Sequence, residues 1–147
     1  PDITLSIPCL PDLDLSANRR RSRAWQAQAV DTRAERLNAG LVLASARRAL
    51  WDQGIESLTI IPLTPPITLA WTLYWPKGIR ARDADGCADL LKSWQDAIVD
   101  LGWLKNDSPR YVRRVSYESI AVSPKGPSMM LRIAVHANHC DETGMGR

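Results

Sequence analysis

Hydrophobic and polar positions alternate with a period of two in several places along the chain, the pattern of strands with one face buried. Ile3, Leu5, Ile7 and Cys9 alternate with Thr4, Ser6 and Pro8, which predicts an opening strand ended by Pro8 and Pro11. Ile67, Leu69, Trp71, Leu73 and Trp75 alternate with Thr68, Ala70, Thr72 and Tyr74, the clearest strand in the sequence. Its tryptophans belong to a buried face rather than to a base-stacking platform, and only Trp75, at the strand's end, lies in reach of the surface. Met129, Leu131, Ile133 and Val135 alternate in the same way. With a strand from Tyr111 to Val122 and a Pro-Lys-Gly-Pro turn at Pro124 to Pro127, this last segment predicts a hairpin. A short strand is also expected at Leu58 to Ile61, before Pro62, Pro65 and Pro66 interrupt the chain.

Two stretches follow the helical period instead. From about Ser22 to Gln53 the chain is rich in Ala and Arg and free of proline, predicting one long helix, or two joined near Gly40, ended by Gly54. Trp25, Ala29, Ala34, Leu37, Leu41, Ala44, Ala46, Leu50 and Trp51 form its apolar seam, read as core, although a helix this long also offers a face to a partner subunit. Cys87, Leu90, Leu91, Trp94, Ala97, Ile98 and Leu101 recur at helical spacing and predict an amphipathic helix over about residues 86 to 101. Asp83 or Asp85 supplies its N-cap, and Gly102 the left-handed residue past its last turn. The fold class is α/β (α+β): a small mixed sheet of four or five strands packed against a long N-terminal helix and a second amphipathic helix.

Size and composition narrow this picture. A chain of 147 residues, 45% hydrophobic, suits one domain with a real core, taken as residues 1–136, followed by a polar, glycine-rich tail over 137–147 that is expected to be loose. No stretch approaches the roughly 18 apolar residues of a membrane span and no targeting segment is legible, so a cytoplasmic protein is expected. Cys9, Cys87 and Cys140 are too scattered for a disulfide framework, and His136, His139 and Cys140 lack the second donor pair of a soft-metal site.

A net charge of +3 says little about partners, but its distribution says more. Acids concentrate between Asp83 and Asp107, whereas Arg19, Arg20, Arg21 and Arg23 sit together, and Lys77, Arg80, Arg82, Arg110, Arg113 and Arg114 flank the acidic stretch. Cations around carboxylates suit an enzyme that holds a phosphate backbone while a metal ion works on it.

Asp83 and Asp85 stand just before the second helix and Asp107 just after it, which suggests a metal site, because hard cations prefer carboxylate oxygens. Plainer roles exist for each: an Asp-x-Asp also caps helices, and Asp107-Ser108-Pro109 also makes a turn. Lys92 has Asp89 at i−3 and Asp96 at i+4 for ordinary surface ion pairs. It lies about two turns, roughly 10 Å, from Asp85, much of which a lysine leaning toward the helix N-terminus covers.

The order of these residues resembles the RusA family of Holliday junction resolvases, including members encoded by phages and prophages. That family's pattern is a basic run, Asp-x-Asp-Asn, a helix carrying a Lys and an Asp-Ala-Leu/Ile step, a Gly turn, and an acidic segment ending in Asp-Ser. Here it reads Arg80, Arg82, Asp83-Ala84-Asp85-Gly86, Lys92, Asp96-Ala97-Ile98, Gly102 and Asn106-Asp107-Ser108. Gly86 stands where the family has Asn, Asn106 where an acid is common, and Asp85 and Lys92 are further apart than usual.

The resemblance implies that Asp83, Asp85 and Asp107 are catalytic carboxylates holding one or two Mg²⁺ ions, with Mn²⁺ able to substitute, and that Lys92 is a catalytic lysine. It further implies a homodimer that resolves four-way DNA junctions by paired symmetric nicks. On that reading Arg19, Arg20, Arg21, Arg23, Lys77, Arg80, Arg82 and Arg110 contact DNA. The rival expectations are a branched-DNA-binding protein without cleavage, and a nuclease for flaps or forks.

Overall fold

A computed structural model describes residues 2–13, 25–54, 62–63 and 65–136, with Trp25 described by its backbone alone. The Arg19 to Arg23 run, the strand expected at Leu58 to Ile61 and the tail from residue 137 lie outside the described residues. Among the described residues seven elements follow in order: β1 (Asp2–Ile7), α1 (Trp25–Asp52), β2 (Ile67–Tyr74), α2 (Ala84–Leu90), α3 (Lys92–Asp100), β3 (Val112–Ile120) and β4 (Ser128–Val135). The strands form one mixed sheet in the order β1-β4-β2-β3, with β2 parallel to β3 and β4 antiparallel to both its neighbours. This is the α+β architecture that the periodicities predict. No helix among the described residues is long and apolar enough to cross a membrane.

The expected hairpin of the last two strands does not form. β4 inserts between β1 and β2, while β3 takes the sheet edge and pairs with β2 alone. Side-chain chemistry accounts for the exchange. Met129, Leu131 and Ile133 of β4 are at most 2% exposed, so this strand needs a central position, whereas β3 carries the exposed Arg113, Arg114 and Glu118, charges that protect an open edge from pairing with another chain. A register shift at the start of β3 sets Ile67 against Val112 but Thr68 against Arg114, leaving Arg113 as the extra residue of a bulge.

Cross-strand registers assemble the core in rows. Ile3, Ile133, Leu69 and Val115 form one row, Leu5, Leu131, Trp71 and Tyr117 the next, and Ile7, Met129, Leu73 and Ser119 the third. All three rows face the helices, and the third ends at the sheet edge in a polar residue, Ser119, that is exposed. Trp75 continues β2 inward: it is 0% exposed, so the expected route to the surface at the strand's end is closed. Gly126, between β3 and β4, is required by close approach. A Cβ there would lie 2.5 Å from the Pro76 nitrogen and 2.7 Å from the Trp75 carbonyl carbon.

Helix α1 runs unbroken through Gly40, but it presents the sheet with a different face from the one its seam predicts. Glu35, Ala39, Leu43 and Ala46 are buried, whereas Leu37, Leu41 and Trp51 are exposed. Apolar residues occur all round this alanine-rich helix, so its sequence defines two apolar faces. The one beginning at Glu35 wins because that carboxylate accepts hydrogen bonds from Trp94 Nε1 at 2.8 Å and from the Asp12 amide at 3.2 Å, tying α1 to α3 and to the segment after β1.

Candidate metal and nucleic-acid site

The helical stretch between the aspartates starts at Ala84 and is divided at Leu91, whose φ of −93° and ψ of 1° leave the helical region, so the single helix expected over residues 86–101 is a pair, α2 and α3. Hydrogen bonds still cross the break: Leu91 donates to the Cys87 carbonyl at 2.9 Å and Gln95 to the Leu91 carbonyl at 3.0 Å. The far end closes as Gly102 predicts. Gly102, at φ 75°, donates to Val99 at 3.0 Å and Trp103 to Ile98 at 3.2 Å, the paired bonds of a Schellman motif, with Ile98 and Trp103 both buried.

At the near end Asp83 is the cap, its Oδ1 accepting from the Gly86 amide at 2.9 Å. Gly86 serves this bond, since a Cβ there would sit 3.2 Å from that oxygen and 3.1 Å from Arg82 Cβ. Asp85 lies in the first turn and is exposed, where a carboxylate complements the helix dipole.

The loop bearing these aspartates is anchored by Ser119, the polar end of the third core row. Its hydroxyl donates to the Arg82 carbonyl at 2.6 Å, accepts from Trp75 Nε1 at 3.2 Å and stands 3.3 Å from Cys87 Sγ. Burial pushes the Cys87 thiol above the ordinary cysteine range, and the Asp83 charge adds to the effect, so it packs as an unreactive thiol. The Arg82 guanidinium donates to the Arg80 carbonyl at 2.6 Å and lies 5.8 Å from the Trp75 ring centroid. It is thereby turned onto the protein, while Lys77, Arg80 and Arg110 are exposed.

Lys92 opens α3, and its side chain reaches forward rather than back toward Asp85. Nζ lies 3.0 Å from Asp96 Oδ1 and 3.4 Å from Asp107 Oδ2. The Asp96 hydrogen bond, followed by the Asp96 charge and the Asp107 contacts, holds the Lys92 pKa above the ordinary lysine value, so it carries its charge at neutral pH. Behind it, Arg36 of α1 grips Asp100 through two nitrogens and stands 3.9 Å from Asp96. Asp107 is placed by an Asx turn in which Asn106 Oδ1 accepts from the Ser108 amide at 2.9 Å. Asn106, standing where an acid was common in the pattern, thus shapes the turn.

The fold therefore joins Lys92 to Asp107 and sets Asp83 and Asp85 together at the start of α2. Three exposed carboxylates with oxygen donors suit a hard divalent cation by chemistry, and Asp83, Asp85 and Asp107 are the residues that would hold it. Among the described residues, no three His, Cys, Asp or Glu side chains are gathered as the ligands of one ion. The polypeptide alone does not draw the set into a cage.

Sequence reasoning missed Ser119, Arg36 and the bond from Gln95 Nε2 to the Tyr117 hydroxyl at 2.6 Å, which ties α3 to β3. Ser119 did leave a signal: it occupies an inward position of an alternating strand, after Val115 and Tyr117, where an apolar residue belongs. Arg36 left none, because its partners are 60 and more residues away. No protein-family model matches this chain, and no curated protein matches it.

Proposed function

We propose that this chain is a divalent-metal-dependent endonuclease that acts on branched DNA inside the cell, resolving four-way junctions as a homodimer. The observation that carries the reading is the contact of Lys92 with Asp107 at 3.4 Å, across 15 positions of sequence. It brings together the lysine and the acid that the resemblance to the RusA family pairs functionally. Asp83, Asp85 and Asp107 would hold Mg²⁺ or Mn²⁺. Such an ion supplies a bound water acidified toward hydroxide and neutralises charge on a phosphoryl oxygen.

The chain's own residues do the rest. Lys92 keeps its proton and directs an ammonium at the scissile phosphate, where positive charge stabilises the pentacovalent transition state. Lys77, Arg80 and Arg110 are exposed cations that hold the flanking phosphates. Arg82 acts from the protein side, bracing the loop against Trp75. A twofold dimer gives two such sites at one spacing, as paired nicks in a near-symmetric junction require.

A second reading, a branched-DNA-binding protein without cleavage, rests on Gly86 and Asn106, which depart from the pattern of the family that the chain resembles. One experiment separates them. A labelled synthetic four-way junction is incubated with the protein in Mg²⁺ or EDTA, beside Asp83→Asn and Asp107→Asn. Paired nicks that need Mg²⁺ and vanish in both variants support the nuclease. Salt-sensitive binding with no product in any divalent metal rejects it in favour of the binder.

A further inference from the structure

Four tryptophans of the described core, Trp71, Trp75, Trp94 and Trp103, are at most 1% exposed, whereas Trp51, near the end of α1, is 56% exposed. An indole left in water forgoes the burial that the other four gain. Trp51 does not stand alone. Together with Ala44, Arg47, Arg48 and Asp52 it lines an open surface depression of about 370 Å³.

The charge of this helix face indicates the ligand's chemistry. Arg33 and Arg48 are exposed along it beside Val30, Leu37 and Leu41, while Glu35 turns into the core and Asp31 is half-buried. Asp52, at the end, is the carboxylate exposed next to Trp51. Two copies packed in parallel through this face would oppose Arg33 to Arg33 and Arg48 to Arg48. A polyanion meets no such conflict. An aromatic face flanked by guanidinium groups is the combination that binds single-stranded nucleic acid: bases stack on the ring whatever their sequence, and arginines neutralise the backbone.

We propose that Trp51, Arg47 and Arg48 form a stacking platform for an unpaired base of single-stranded nucleic acid, separate from the Lys92 site. Arg36, which touches Asp96 and Asp100, lies 15 residues earlier on α1, so the platform stands about 22 Å along the helix from the Lys92 network. The inference rests on the proposed function only in taking nucleic acid as the ligand.

The test follows tryptophan fluorescence in a Trp25→Phe background, titrating oligothymidylate of about twelve nucleotides in EDTA, a length within the span of single-strand sites. The expected result is quenching of the exposed emission, binding weakened about tenfold by Trp51→Ala and largely restored by Trp51→Tyr. Arg48→Ala should lower the slope of log affinity against log salt by about 0.7. Asp107→Asn, which would abolish cleavage, leaves this binding unchanged, whereas a parent protein that is quenched but nicks no branched DNA in Mg²⁺ removes the proposed function and keeps the platform. Equal binding by Trp51→Ala, or no quenching at all, overturns the platform. So does an emission shift that depends on protein concentration without oligonucleotide, which would mean that a second copy covers Trp51.

Discussion

Trp94 Nε1 donates a 2.8 Å hydrogen bond to Glu35 Oε1, joining α3 to α1 through a carboxylate that is 8% exposed. Desolvation raises the Glu35 pKa above the ordinary glutamate value, outweighing the Trp94 bond that lowers it, and the nearby Asp12 charge raises it further. The folded state thus binds the Glu35 proton more tightly than the unfolded chain. This acid costs stability when ionised, and global stability should fall as pH rises from about 4.3, the unfolded value, through the raised folded value. Urea unfolding between pH 4 and 8 measures the slope. Glu35→Gln keeps an acceptor for Trp94 and should flatten it, whereas Glu35→Ala should cost about 1–3 kcal/mol by orphaning a buried indole N–H.

Ser119→Ala removes the hydroxyl that links Arg82, Trp75 and Cys87, leaving the Arg82 carbonyl and the Trp75 indole without that partner. A loss of about 1–2 kcal/mol is expected. The loop before Asp83 should loosen with it, and Cys87, 0% exposed, should become open to alkylation. Iodoacetamide labelling in a Cys9→Ser, Cys140→Ser background reads this directly. A thiol as protected in the variant as in the parent would show that the loop is held by other contacts.

Two glycines should respond oppositely to alanine. At Gly126 a Cβ would press within 2.5 Å of the Pro76 backbone, and neither strand end can yield without disturbing the core, so a cost of about 1–3 kcal/mol or more is expected. Gly40 sits inside α1 with nothing within 4 Å of its would-be Cβ. Gly40→Ala should stabilise by about 0.5–1 kcal/mol, since alanine loses less backbone entropy in a helix. Thermal unfolding of the two variants should bracket the parent.

Lys92→Met and Asp107→Asn should leave stability nearly unchanged. Their side chains are 60% and 51% exposed, and a pair so open to water is worth about 0–1 kcal/mol. If the proposed function holds, both should lower junction cleavage by about a hundredfold or more, because charge aimed at a transition state counts there and not in folding. Parallel denaturation and cleavage assays test the contrast. Equal losses in both would make the pair a structural tie.

Local rules were sufficient for several features of this protein. The alternation of Ile67 to Trp75, the glycine after α3, the aspartate cap before α2 and the long proline-free helix are each set by a residue's neighbours within a few positions, through steric limits on the backbone and the period of one buried face. The order of Asp83, Lys92 and Asp107 was likewise legible. Three things depended on the whole fold. Which face of α1 turns inward was settled by Glu35 meeting Trp94, 59 positions away. Which strand lies at the edge was settled by competition between apolar β4 and charged β3 for a central place, which no single strand expresses. That Ser119, at the end of a core row, holds the loop before Asp83 followed from parallel pairing of β2 with β3. Periodicity reports how a segment meets a surface, and only the assembled sheet and helices determine which surface that is.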